Sequence, residues 1–179
     1  ENIKQKKIKK HIDTKYIRLG YHGNLEHLEE CGNKLKFAIE KLSKNFHIEL
    51  VVMYNKKLGI WKKNRPDVKT TFHDWNFNDL IDIMSDVDIG LVPCVNKNLL
   101  DFHKKDSNFI LDYLKLLFST QGRRNDYSLN FKNTANAGRA FVFHQLGIPV
   151  IADFWPSNFE ILSSPFQGRL AHTEEGWYE

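Results

Sequence analysis

Lys132, Asn136 and Arg139 stand four and three residues apart, the spacing that brings side chains to one face of a helix. They lead a helix-period run that ends at Gly147, so their basic and polar groups gather toward its N-terminal end. A helix N-terminus carries spare N–H groups and the positive end of the helix dipole. With a guanidinium and an ammonium added, the chemistry on offer is anion binding, phosphate above all. A solvated helix face is the plain alternative for the same three residues.

Other chemistries lack their residues. The eight histidines are dispersed, with no HExxH or HxH pair, so no zinc site is expected. No GxxxxGK[ST] loop is present, and no GxGxxG follows the first strand, which sets ATPase and NAD chemistry aside. Asp86 and Asp88 have the Asp-x-Asp spacing, but they open the run DVDIG and read as caps or turn formers rather than metal ligands. No metal and no cofactor is expected.

The elements that must position the phosphate-type face are α/β. Tyr16–Tyr21 reads as a short strand ending in the turn His22-Gly23-Asn24, with Asn24 as N-cap of a helix carrying Leu25, Leu28, Leu35, Ala38, Ile39 and Leu42. Gly32 weakens the middle of that helix. Ile48–Met53 is a near-continuous apolar strand, as burial on both faces requires. A loop over 56–66 precedes a strand at Val68–Phe72, which ends at His73-Asp74-Trp75. A short helix over Asn78–Ser85 and a strand over Val87–Val92, stopped by Pro93, come next. A helix from about Asn133 to Gln145, a strand over Ile148–Ala152, a helix over Ser157–Leu162 and a strand near Arg169–Ala171 complete the order. Alternating strands and helices specify a doubly wound parallel sheet, Rossmann-like and three-layered (αβα).

Residues 96–130 form a connection longer than such folds use, expected to be a helical insertion. Within it Phe109–Phe118 is apolar except for Asp112 and Lys115. It is either an extra helix packed on the domain or a surface for a partner domain, an acceptor or the membrane interface.

Charge is uneven. The first sixteen residues carry six lysines against Glu1 and Asp13, which accounts for the whole net charge of +4. Residues 1–15 thus read as a basic leader or linker on a neutral domain, 16–179. A neutral body speaks against nucleic-acid binding. Cys31 and Cys94 are far apart and read as reduced thiols of a cytoplasmic protein. No apolar run reaches transmembrane length and no signal peptide opens the chain. Residue 1 lies in a charged run without Met, and HTEEGWYE stops inside a helix, so an excised domain of a longer protein is expected.

The order IRLGYHGN, IELVVM, VKTTFHDW…DLIDIMSDVDIGLVP and KNTANAGRAFVFHQLGIPVIADFWPSNFEIL resembles the C-terminal half of glycosyltransferases with two Rossmann-like domains, the GT-B fold (group 1, or family 4-like). DVDIGLVP is similar to that family's strand ending in Pro, and LGIPVIA to its GxPV segment. The resemblance runs from about Tyr16 to the end, apart from 96–130. It implies a domain that binds a nucleoside-diphosphate sugar. The loop Gly20–Asn24, with Gly23 and Asn24, would approach the diphosphate, or be a plain tight turn. His73, Asp74 or Trp75 would lie beside the base, with a core position as the alternative for Trp75. Glu160, in PSNFEI, matches the family's acidic step into its next helix, or is a helix-surface acid.

The chain departs from the family at one motif. Many members carry two glutamates eight positions apart before the GxPV strand, the second gripping the ribose; here those positions are Thr134 and Val142. Val142 accepts no hydrogen bond. Lys132, Asn133, Asn136 and Arg139 stand nearby instead, similar to a family subset with a Lys/Asn/Arg helix start. The resemblance assigns them the leaving diphosphate, which a metal-free transferase must neutralise.

The expected function is the donor-binding half of a hexosyltransferase of bacterial surface or capsular polysaccharide synthesis. It would be cytoplasmic or at the inner face of the membrane, with peripheral membrane contact. An N-terminal domain absent from this chain would bind the acceptor, and the chain alone would bind without turnover. The alternative is a catalytically inactive binding or scaffold module on the same fold, acting through a partner protein.

Overall fold

A computed structural model of the chain describes residues 16–29, 31, 33–94, 137–164 and 166–179. The basic leader, the 96–130 insertion with Phe109–Phe118, and Lys132, Asn133, Thr134 and Asn136 lie outside the described residues.

The described elements, in order, are β1 (Tyr16–His22), α1 (Leu25–Glu29), α2 (Lys34–Leu42), β2 (His47–Tyr54) and β3 (Lys69–Asp74). Then come α3 (Phe77–Met84), β4 (Ile89–Val92), α4 (Gly138–Gln145), β5 (Val150–Asp153), α5 (Pro156–Ile161), β6 (Gly168–Ala171) and α6 (Glu174–Tyr178). The six strands make one sheet in the order β3-β2-β1-β4-β5-β6. Every pairing is parallel, with Leu19 against Leu50 on one side and Ile89 on the other. The expected doubly wound α/β fold is therefore the fold present.

Two apolar clusters flank the sheet, and the strand period decides which residue serves which. In β2, Leu50, Val52 and Tyr54 join the cluster with α1, α2 and Trp177 of α6, while Val51 and Met53 face α3, α4 and α5. Seven of the eight β2 residues are buried, as its near-continuous apolar run requires. Each such buried aliphatic side chain contributes about 1.5–3 kcal/mol. Gly90 of β4 lets α4 approach, since a Cβ there would stand 2.4 Å from the buried Phe143 ring.

Two expectations change. The single helix through 25–42 is two helices, α1 and α2, because helical spacing of apolar residues survives a break between Glu29 and Lys34. The helix carrying Arg139 begins only at Gly138, since Ala137 has the non-helical torsions φ −82°, ψ 41°. Arg139 thus lies in the first turn of α4, while Lys132 and Asn136, with which it was expected to share a helix face, lie outside the described residues.

Candidate functional site

Strand order reverses between β1 and β4, whose shared neighbours run outward in opposite directions. The crossovers there leave to opposite faces, so a crevice opens at the C-terminal ends of the two strands. Three segments from distant parts of the chain meet at it.

The first is the turn after β1. Gly23 has φ +142°, a backbone region that side chains rarely enter, and its N–H donates to the Met53 carbonyl at 3.1 Å. A Cβ on Gly23 would stand 3.0 Å from Tyr21 Oη and 3.1 Å from Arg139 Cδ. Glycine therefore makes room for the arginine. Asn24 follows, exposed and immediately before α1. Its carbonyl accepts from Tyr21 Oη at 2.6 Å. Burial raises the Tyr21 phenol above its ordinary range, so Tyr21 acts there as a neutral donor.

The second is Arg139. Its Nη1 donates to the Pro93 carbonyl at 2.9 Å, its Nη2 lies 3.9 Å from Cys94 Sγ, and its guanidinium stands 6.0 Å from the Tyr21 ring centre. Among the described residues no carboxylate pairs with it. The first N–H groups of α4 lie in the same turn and have no acceptor within the helix.

The third is Trp75, at the end of β3. Its ring is 43% exposed and stacks on His22 at 6.1 Å with a 20° interplanar angle. Trp75 is therefore not a core residue. The neighbouring Asp74 is spent on the backbone, accepting from Lys56 N–H at 2.9 Å and Trp75 N–H at 3.1 Å, while His73 is half-buried within β3.

His22 ties the three together, and sequence reading passed over it as a turn residue. It is 4% exposed, touches the Phe143 ring at 5.1 Å, and its Nε2 donates to the Arg139 carbonyl at 3.3 Å. Burial pushes its imidazole down to about 4, so the ring is neutral at pH 7 and adds no repulsion to the guanidinium. The one signal was a polar residue closing an apolar strand before a glycine.

The structure thus brings together Gly23, Asn24, Trp75 and Arg139. Glu160 lies exposed on α5. Val142 packs against the apolar cluster beneath α4 and offers nothing to a ribose. Asp86 and Asp88 are at the opposite end of the sheet, where Asp88 Oδ2 accepts from Arg18 N–H at 2.8 Å and Asp86 meets the Arg18 guanidinium at 3.2 Å.

A second polar cluster closes β5, and no motif announced it. The buried Asp153 carboxylate pairs with Lys34 Nζ and accepts from Cys94 N–H at 2.6 Å and Trp177 Nε1 at 3.3 Å. Cys31 and Cys94 are both buried. Among the described residues no group of three or more His, Cys, Asp or Glu is placed to hold a metal, and no helix is long and apolar enough to cross a membrane. No protein-family model matches the chain, and no curated protein matches it.

Proposed function

We propose that this domain binds the nucleoside diphosphate of a sugar donor in the crevice between β1 and β4, as the donor half of a glycosyltransferase. The observation that carries this reading is Arg139: a guanidinium at the switch point, beside a positive-φ glycine turn, with no carboxylate partner among the described residues. A partly buried cation of that kind is suited to an anion supplied from outside.

In glycosyl transfer the bond from the anomeric carbon to the diphosphate breaks, and negative charge collects on the departing phosphate oxygen. Arg139 and the first N–H groups of α4 take up that charge, which lowers the barrier more than it aids ground-state binding. Trp75 gives the base an exposed aromatic face. Lys132, Asn133 and Asn136 precede α4 in the chain and are assigned to the same anion on the family resemblance. The acceptor and any general base come from a separate domain, in keeping with cytoplasmic synthesis of a surface polysaccharide.

The test is ligand-observed NMR of the chain with UDP, GDP, ADP, CMP and the matching nucleotide sugars. Selective binding of one nucleotide, weakened by Arg139→Ala, is the expected result. Equal indifference to all of them sinks the reading. The second reading is an inactive binding module acting through a partner protein. It is favoured by Phe159 and Phe166, large apolar side chains left 54% and 93% exposed.

A further inference from the structure

The loop from β2 to β3 carries Lys56, Lys57, Lys62, Lys63 and Arg65, all exposed, with Asp67 as its one acid. Between the two lysine pairs stand Leu58 and Ile60, 62% and 68% exposed. No other leucine or isoleucine is exposed among the described residues, so the loop gathers what the rest of the domain buries. Single apolar residues on a surface mean little; two of them flanked by lysines call for an occupant.

Local contacts fix the loop with these side chains outward. Trp61 is its buried anchor, donating its N–H to Tyr54 Oη at 3.3 Å and its Nε1 to the Lys63 carbonyl at 2.9 Å. The Asn55 side chain accepts from Lys57 N–H at 3.1 Å, and Asp74 from Lys56 N–H at 2.9 Å. Gly59, at φ +127°, turns the chain between Leu58 and Ile60, and a Cβ there would stand 3.8 Å from Leu25 Cδ2. The turn therefore lies beside the start of α1, at the end of the sheet where the crevice opens.

Lysine and aliphatic side chains together select the occupant. Protein interfaces are depleted of lysine and enriched in aromatic residues and arginine, whereas four of the five cations here are lysines. A single-stranded nucleic acid needs aromatic faces to stack on, and the one aromatic residue of the loop, Trp61, is buried. An anionic bilayer uses what is present: lysines for its headgroups and aliphatic side chains for the acyl boundary. We propose that residues 56–65 form a membrane-contact surface, with Leu58 and Ile60 entering an anionic bilayer while the lysines meet its headgroups. The inference goes beyond the donor reading and does not depend on it.

The test is co-sedimentation of the chain with phosphatidylcholine vesicles, alone or with about one-third phosphatidylglycerol. Binding to the anionic vesicles, weakened by raising salt from roughly 0.1 to 0.5 M, is the expected result. Leu58→Ser with Ile60→Ser should weaken it about tenfold, and Lys57→Gln with Lys62→Gln about ten- to thirtyfold. All four positions are exposed, so the thermal transition should hold. The six lysines of residues 1–15 are drawn to such vesicles by charge alone, so insertion is read separately with a polarity-sensitive fluorophore. Cys31 and Cys94 are buried, which leaves an added surface thiol to take the label. On Leu58→Cys the emission should shift to the blue with anionic vesicles. On Phe166→Cys, just before β6 and so at the other end of the strands, it should not. No binding to anionic vesicles overturns the inference. So does binding indifferent to both loop pairs, which makes the leader its cause, or a label at Leu58 that stays in water. Vesicles left unbound while a single-stranded oligonucleotide binds through Lys57 and Lys62 overturn it in favour of a phosphate polymer.

Discussion

Arg18 and Arg139 sit at opposite ends of the same strands, and their surroundings differ in one respect. At the N-terminal end of β1, Arg18 Nε lies 3.5 Å from Glu49 Oε2 and its Nη1 3.2 Å from Asp86 Oδ2. Glu49 is itself shared with Tyr16, with Thr71 at 3.0 Å and with Lys69 at 3.2 Å. At the C-terminal end, Arg139 meets a carbonyl and a thiol and, among the described residues, no carboxylate. Among the described residues, then, Arg18 has carboxylate partners and Arg139 has none. A compensated cation holds the fold together; an uncompensated one held in place by neutral acceptors is fit to receive an anion.

Breaking the Arg18 end should cost stability alone. Glu49→Ala removes the acceptor of Tyr16 and Thr71 and leaves Arg18 with Asp86 alone, for a loss of about 2–3 kcal/mol in urea denaturation. Nucleotide affinity should stay within about twofold. A parallel loss of binding would mean the two ends are coupled.

Breaking the Arg139 end should do the reverse. Arg139→Ala should weaken the preferred nucleotide about 10- to 100-fold, as loss of a charge-assisted contact does, and cost only about 1 kcal/mol of stability. A stability loss matching that of Glu49→Ala, with binding intact, would make Arg139 a structural residue.

Gly23→Ala joins the two effects. The substitution strains a positive-φ turn by about 1–2 kcal/mol and pushes on Arg139, so both the thermal transition and nucleotide affinity should fall.

The smallest effect separates the ends by pH. His22 has its folded value lowered by burial from 6.5 to about 4, so its contribution is whole above pH 6.5 and is lost as pH falls toward 4. Glu49 is lowered from 4.5 to about 2, chiefly by the Tyr16 hydroxyl, so its contribution is whole above pH 4.5 and is lost toward pH 2. Thermal melts at pH 7, 5 and 3 should show His22→Gln flattening the upper window and Glu49→Gln the lower. A single shared window would break the distinction between the ends.

Legibility in the sequence followed the range of the forces involved. β2 could be read directly, because burial on both faces leaves a continuous apolar run that few other structures need. The turn Gly23-Asn24 was readable for its glycine. Trp75 was not decidable between core and surface, since an indole suits either and only its neighbours assign it. The break between α1 and α2 was hidden for a similar reason: apolar spacing continues across it, while the break sets Lys34 in the first turn of α2, against Asp153. His22 was unreadable as a site residue, for its neutrality comes from packing by Phe143 and a contact with Arg139 across 117 positions.

By itself, then, the sequence determined the alternation of strands and helices, the parallel sheet they force, and the candidacy of Arg139 for a phosphate-type anion. Those follow from side-chain period and local backbone chemistry, which act within a few residues. Only the tertiary structure decided that Arg139 has no carboxylate partner among the described residues, that Arg18 is paired with Glu49 and Asp86, and that Lys34 and Asp153 neutralise each other at the end of β5. Charge balance is a property of distances through space, and folding sets those distances between residues the chain keeps far apart.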